Sequence, residues 1–147
     1  MKQKINVLSC LIVVLVWSIG ADLSGGTISV KPENAVIVLP AKSRKASFDK
    51  NYLGAAKELQ KHLVLITGTD IPIVGNNEVP AGKYHFYIQR RPSDDKKEFA
   101  SQEIRWAVTP EAAYFYGQED NSLGAYFAVY DFLERQLGVL WIRPGDD

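Results

Sequence analysis

The sequence predicts an α+β fold, a single mixed β-sheet with two main helices packed on it as an α/β sandwich. Three observations predict it. Two stretches, about 49–67 and 123–137, carry apolar residues at spacings of three and four, the mark of helices with a buried face. Between them run several short segments that alternate apolar and polar residues, as half-buried strands do. The resulting order is strand, helix, several strands, helix, strand. Helices separated by consecutive strands argue for segregated layers, not for a barrel or a doubly wound sheet.

The chain has 147 residues, the size of one domain. Seventeen basic and seventeen acidic residues cancel, so no basic excess points to nucleic acid. Residues 1–21 read as a signal peptide outside the fold. Lys2 and Lys4 make a positive start, Ile5 to Ile19 an apolar core, and Ser18, Gly20 and Ala21 a small-residue end. Cleavage after Gly20 or Ala21 implies export and no stable membrane association afterwards. It leaves fifteen basic against seventeen acidic residues, a balance of −2, and removes Cys10, the one cysteine. The mature chain then has no disulfide, thiol nucleophile or cysteine–metal ligand, and about 125 residues with which to build an apolar core.

Thr27 to Lys31 and Asn34 to Leu39 read as strands broken by Pro32 and Pro40. A polar connection follows to Lys50. Asp49 or Asn51 opens the first helix, whose inner face is Tyr52, Ala55, Ala56, Leu59, Leu63 and Ile66, and Gly68 closes it as a left-handed C′ glycine. Ile71 to Val74 reads as a short edge strand, since Pro72 donates no ladder hydrogen bond. In Lys83 to Gln89, Tyr84, Phe86 and Ile88 alternate with His85, Tyr87 and Gln89. Arg90 to Ser101 is a charged, turn-rich excursion. Glu103 to Thr109 points Ile104, Trp106 and Val108 inward, and Pro110-Glu111 turns the chain into a strand over Ala112 to Tyr116, a hairpin.

Asp120, Asn121 or Ser122 caps the second helix. Its stripe of Leu123, Tyr126, Phe127, Tyr130, Leu133 and Leu137 is widened by Ala125, Val129 and Phe132, leaving Gly124, Ala128, Asp131 and Arg135 as the solvated arc. A helix apolar over so much of its girth is buried on two sides. One side meets the domain's own sheet. The other meets either a second layer of the same domain or a partner. Gly138 ends the helix, and Val139 to Ile142 reads as an apolar strand.

Chemistry-bearing residues are sparse. His62 and His85 lie on separate elements without metal-ligand spacing, and there is no glycine-rich phosphate loop or local serine motif. Glu119 and Asp120 are an adjacent acid pair, better explained by the favourable field at a helix start. Trp106, Tyr114, Tyr116 and Trp141 have the rings to stack on sugars, but occupy regular strand positions where aromatic residues belong to the core.

Several stretches resemble a known family. They are Tyr52 to Val74, with Ala55-Ala56-Lys57-Glu58-Leu59-Gln60 and Ile66-Thr67-Gly68-Thr69-Asp70-Ile71-Pro72-Ile73; Arg105 to Gly117; Ser122 to Glu134; and Leu137 to Trp141. Together they resemble the N-terminal domain of family 67 α-glucuronidases and the related pre-barrel domain (domain 2) of family 20 β-hexosaminidases. The resemblance covers about residues 27–147. It implies a non-catalytic accessory domain of an exported bacterial glycoside hydrolase acting on polysaccharide such as xylan, ending where a catalytic TIM barrel would begin. It implies no catalytic, cofactor or metal residue here, because in those families the catalytic carboxylates lie in the barrel. Gln89-Arg90-Arg91 departs from the pattern, standing where similar sequences often carry a glycine. The implied partners are the downstream barrel and carbohydrate, with Trp141, Tyr116, Phe132 and Val129 as candidate sugar or domain-docking contacts. The alternative is a free-standing carbohydrate-binding or protein-interaction module.

Overall fold

The computed structural model describes residues 12–15 and 27–140. Five strands form one mixed sheet: β3 (Ala35–Val38), β4 (Ile73–Val74), β5 (Tyr84–Ile88), β6 (Ile104–Val108) and β7 (Ala112–Gly117), in the order β4-β3-β5-β7-β6. β3, β4, β5 and β7 run parallel, and β6 is antiparallel to β7. Helices α1 (Ala46–Thr67) and α2 (Gly124–Leu137) pack on one face of this sheet, α1 over β3, β4 and β5, and α2 over β6 and β7. The fold is the expected α+β sandwich, with both helices on one mixed five-stranded sheet.

The core lies between helices and sheet. Ala35, Ile37, Phe86, Ile88, Val108, Ala113 and Phe115 supply the sheet side; Ala55, Leu59, Leu63, Ala125, Val129, Phe132 and Leu133 supply the helix side. The strand phases follow the alternation in the sequence, with Ile104 and Trp106 packed against the same core. On the opposite face of β3, Val36 and Val38 are buried too. A central parallel strand is covered on both sides, which is why its four residues form one apolar run. The β6–β7 hairpin turns at Pro110-Glu111, where the Thr109 N–H donates to the Ala112 carbonyl at 2.8 Å. β4 is the edge strand, and the Pro72 carbonyl still accepts from the Ile37 N–H at 2.9 Å. Pro72 thus joins the ladder through its one usable backbone group.

α1 begins at Ala46, before the expected caps. Asp49 sits inside the first turn and its carboxylate reaches back to accept the Ser43 N–H at 2.8 Å, so it fastens the incoming chain. α1 ends as expected, at Gly68 with φ 70°, and α2 at Gly138 with φ 68°. The start of α2 differs. Its cap position is Leu123, with no side-chain cap. Asn121 Oδ1 accepts the Leu123 N–H at 3.1 Å, and Ser122 Oγ accepts from Asn51 Nδ2 at 2.8 Å, tying the two helix starts together.

The buried side of α2 is also corrected. Gly124, Ala125, Ala128, Val129, Phe132 and Leu133 face inward, while Leu123 and Phe127 are exposed. The cause is the closeness of the helix to β7: a Cβ on Gly117 would lie 2.7 Å from Gly124 Cα. Only the smallest residues fit there, so Gly124 and Ala128, which look solvated for want of bulk, pack inward, while Arg135 of the same expected arc is exposed and Asp131 half-buried. Tyr126 lies against α1 at Gly54, and the helices run parallel, each returning antiparallel to its preceding strand.

Val139 and Leu140 are not in a strand, and the rest of the strand expected over 139–142 lies outside the described residues. Ile12–Leu15 (β1), inside the segment read as a leader, pairs antiparallel with Thr27–Val30 (β2) in a separate two-stranded sheet. The signal-peptide reading otherwise falls outside the described residues.

Candidate functional site

The side chains with the strongest mutual constraints lie on the sheet face away from the helices, around the segment 89–103 that links β5 to β6. Arg105, on β6, points to that face because Ile104 and Trp106 point to the core. Its guanidinium uses all five N–H donors. Nε and one terminal nitrogen grip the two oxygens of Glu103 at 2.8 and 3.0 Å. The same terminal nitrogen reaches the Glu98 carbonyl at 2.6 Å. The other reaches Asp95 at 3.1 Å and the Lys97 carbonyl at 2.8 Å. Asp95 also accepts the Tyr116 hydroxyl at 2.7 Å, Arg91 at 3.1 Å and the Lys97 N–H at 3.1 Å. Arg91 donates to the Lys97 carbonyl as well. Phe99 lies 4.3 Å beneath the Arg105 guanidinium and edge-on to Tyr116. One arginine therefore folds the charged excursion back onto the sheet.

The electrostatics follow from these contacts. Burial opposes ionisation of Asp95, but the hydrogen bonds from Tyr116, Arg91, Arg105 and the Lys97 backbone outweigh it and hold the carboxyl well below the usual carboxylate range. Glu103 is lowered to about 2, first by its hydrogen bond from Arg105 and then by the Ala100 N–H. Tyr116 is pushed up, by burial first and by its bond to Asp95 second.

A cleft of about 450 Å³ opens beside this network, at the carboxyl ends of β5 and β7. Gln89, Arg91, Glu98, Phe99, Tyr116, Gly117, Gln118 and Glu119 line it. Gln89 holds a left-handed backbone, φ 51°, the conformation a glycine would take most easily. Its N–H donates to the Phe115 carbonyl at 2.7 Å, and its side-chain amide exchanges bonds with the Gly117 carbonyl and N–H at 3.1 and 3.3 Å. Gln89 thus holds by side-chain anchoring a backbone conformation that glycine takes freely. A second, more open cleft of about 620 Å³ runs along the β6 edge past Trp106, Asp131 and Arg135. There Trp106 Nε1 donates to Asp131 at 2.8 Å, and Asp131 accepts from Arg135 at 2.7 Å.

The residues singled out from the sequence fall in different places. Tyr116 is 4% exposed with its hydroxyl taken by Asp95, so it offers no open ring face. Val129 and Phe132 are 0% and 1% exposed in the core, and this corrects their expected docking role, because the domain's own sheet already covers them. Trp141 lies outside the described residues. Glu119 and Asp120 are exposed in the turn before α2, and only Glu119 lines the cleft. Tyr114 stacks on Tyr87 at 5.4 Å, with Arg90 over Tyr87 at 4.3 Å. His85 Nε2 donates to the Pro80 carbonyl at 2.9 Å, which leaves Nδ1 to accept the Tyr87 hydroxyl at 3.3 Å. His62 Nδ1 lies 2.9 Å from the Glu58 carbonyl, within α1.

Asp95, Glu98 and Phe99 lie on an excursion whose sequence looks merely solvated, and Arg105 lies on the strand that follows, so the pattern did not join them. The available signal was Arg105 itself, a charge at the outward position of a strand opposite an aromatic partner, Tyr116. Among the described residues, no group of three or more His, Cys, Asp or Glu is placed to hold a metal ion, and no helix is long and apolar enough to cross a membrane. Compared with protein-family models, with curated proteins and with solved structures, the chain finds no match in any of the three.

Proposed function

We propose that this chain is a non-catalytic accessory domain of an exported glycoside hydrolase of the α-glucuronidase-like kind, and that it seats a catalytic barrel belonging to the same protein. The observation that carries the reading is the outward side of α2. Leu123 and Phe127 are 43% and 52% exposed, one turn apart, and Leu140 just beyond the helix is 83% exposed. Large apolar side chains aligned on a surface helix favour association. The resemblance of 27–147 to pre-barrel domains supplies the partner, and the leader pattern in residues 1–21 supplies the route of export.

Two measurements test this. In light scattering, the mature chain self-associates, and Leu123→Ser with Phe127→Ser returns it to a monomer. In assays on aryl glycosides and glucuronoxylan oligosaccharides, it shows no turnover above background. A monomeric wild-type chain removes the docking argument, and turnover abolished by Glu119→Gln overturns the accessory reading outright.

A further inference from the structure

We infer that the cleft at the carboxyl ends of β5 and β7 is a binding site for a small neutral polyhydroxyl ligand of monosaccharide size. This goes beyond the accessory role, which needs no ligand of its own, and it rests on the cleft alone.

Topology places the site. The chain leaving β5 turns onto the face away from the helices, where segment 89–103 is held over Tyr116 by Arg105. The chain leaving β7 turns the other way, into α2 on the helix face. Adjacent parallel strands whose continuations part to opposite faces leave a crevice between them, and that is where open sheets with parallel strands receive ligands. Its volume, about 450 Å³, is within the range of small-molecule sites.

The walls are fixed before any ligand arrives. On the floor, Gln89 is held at φ 51° by its amide bonds to Gly117. Left-handed backbone at a non-glycine residue costs free energy, and it persists where surrounding structure imposes it, often beside a site. The roof, carrying Arg91, Glu98 and Phe99, is fastened through Asp95 and the Lys97 and Glu98 carbonyls.

The lining chooses the ligand. Glu98 and Glu119 both line the cleft, and neither carboxylate is hydrogen-bonded or ion-paired among the described residues. Both are exposed, so each can exchange its water for a ligand's hydrogen-bond donor. Gln118 and Arg91 on the same walls carry N–H groups, which demand acceptors. Vicinal hydroxyl groups donate and accept at once. An anion meets two carboxylates here, while a bare cation finds only two ligands and an arginine beside them. A neutral sugar or comparable polyol satisfies both walls.

The test is a titration of the isotope-labelled chain with methyl xyloside, methyl glucoside and glycerol, followed by amide chemical shifts, with calcium chloride as the competing probe. The pyranosides are expected to shift the amides of Gln89, Glu98, Gln118 and Glu119 saturably. Glu98→Gln and Glu119→Gln are each expected to weaken binding about tenfold, the scale of one charge-assisted hydrogen bond. Both positions are exposed, so an unchanged unfolding midpoint separates this loss from misfolding. No saturable shift with any pyranoside overturns the proposal, as does binding mapped to Tyr87 and Tyr114 or saturation by calcium alone. None of these outcomes alters the light-scattering test of the docking role, so the two readings fail separately.

Discussion

Arg105 shows what one side chain can organise. It binds carboxylates ten residues before it and two residues before it, and two carbonyls between. Because Asp95 and Glu103 are both held below their ordinary values, the sign of the pH dependence is set. Their contribution to stability is complete above the unfolded carboxylate range, near pH 4. It is lost as pH falls through about 2 and lower. Urea midpoints are therefore expected to drop steeply between about pH 4 and pH 2, and Asp95→Asn to be less stable at neutral pH with a shallower acid limb. An acid limb unchanged in Asp95→Asn would show that Asp95 titrates normally in the folded chain. Trp106 is the second residue whose loss reports on packing. It is half-buried, edge-on to Phe132 at 5.6 Å and bonded to Asp131. Trp106→Ala is expected to cost about 3 kcal/mol, the lower end for deleting a large core aromatic. A denaturant melt within about 0.5 kcal/mol of wild type would place Trp106 outside the cooperative core.

At the scale of elements, the contact that decides the packing of α2 is between two glycines. A Cβ on Gly117 meets Gly124 Cα at 2.7 Å, and a Cβ on Gly124 meets Gly117 Cα at the same distance. Backbone cannot swing aside as a side chain can, so Gly117→Ala must lift α2 from β7. Gly54 is the useful control: its added Cβ meets the ring of Tyr126 at 2.9 Å, the movable end of a side chain. Gly117→Ala is expected to lose about 2–3 kcal/mol, an overpacking cost, and Gly54→Ala distinctly less. Equal midpoints for the two variants would show that α2 is free to move. Much of the element scale was legible in the sequence. Gly68 and Gly138 mark helix ends, and the alternation of Tyr84, Phe86 and Ile88 sets the phase of β5. The inner face of α2 was not legible, because Gly124 and Ala128 are read by their lack of hydrophobic bulk, whereas a close helix–strand approach selects them for small size.

For the whole molecule, the question is which segments the fold requires. β1 and β2 pair with each other and not with the five-stranded sheet, while Val30 reaches the main core from β2. Removal of residues 1–21 is therefore expected to leave one cooperative unfolding transition. Amide exchange would then be faster in Thr27–Val30 than in Ala35–Val38, since only β2 loses its ladder partner. Failure of the shortened chain to fold would make β1 an integral strand and weigh against a cleaved leader. The sequence by itself determined the class of fold, the order of its elements from β2 to α2, the glycine ends of both helices and the faces of its strands. These depend on spacing along the chain and on the conformations open to glycine and proline, which are local properties. Only the tertiary structure decided the parallel course of β3, β5 and β7, the glycine contact that turns α2, and the gathering of Asp95, Arg105 and Tyr116 beside a cleft. Those features join residues on different elements, and their partners are chosen by shape and charge in space, which periodicity does not encode.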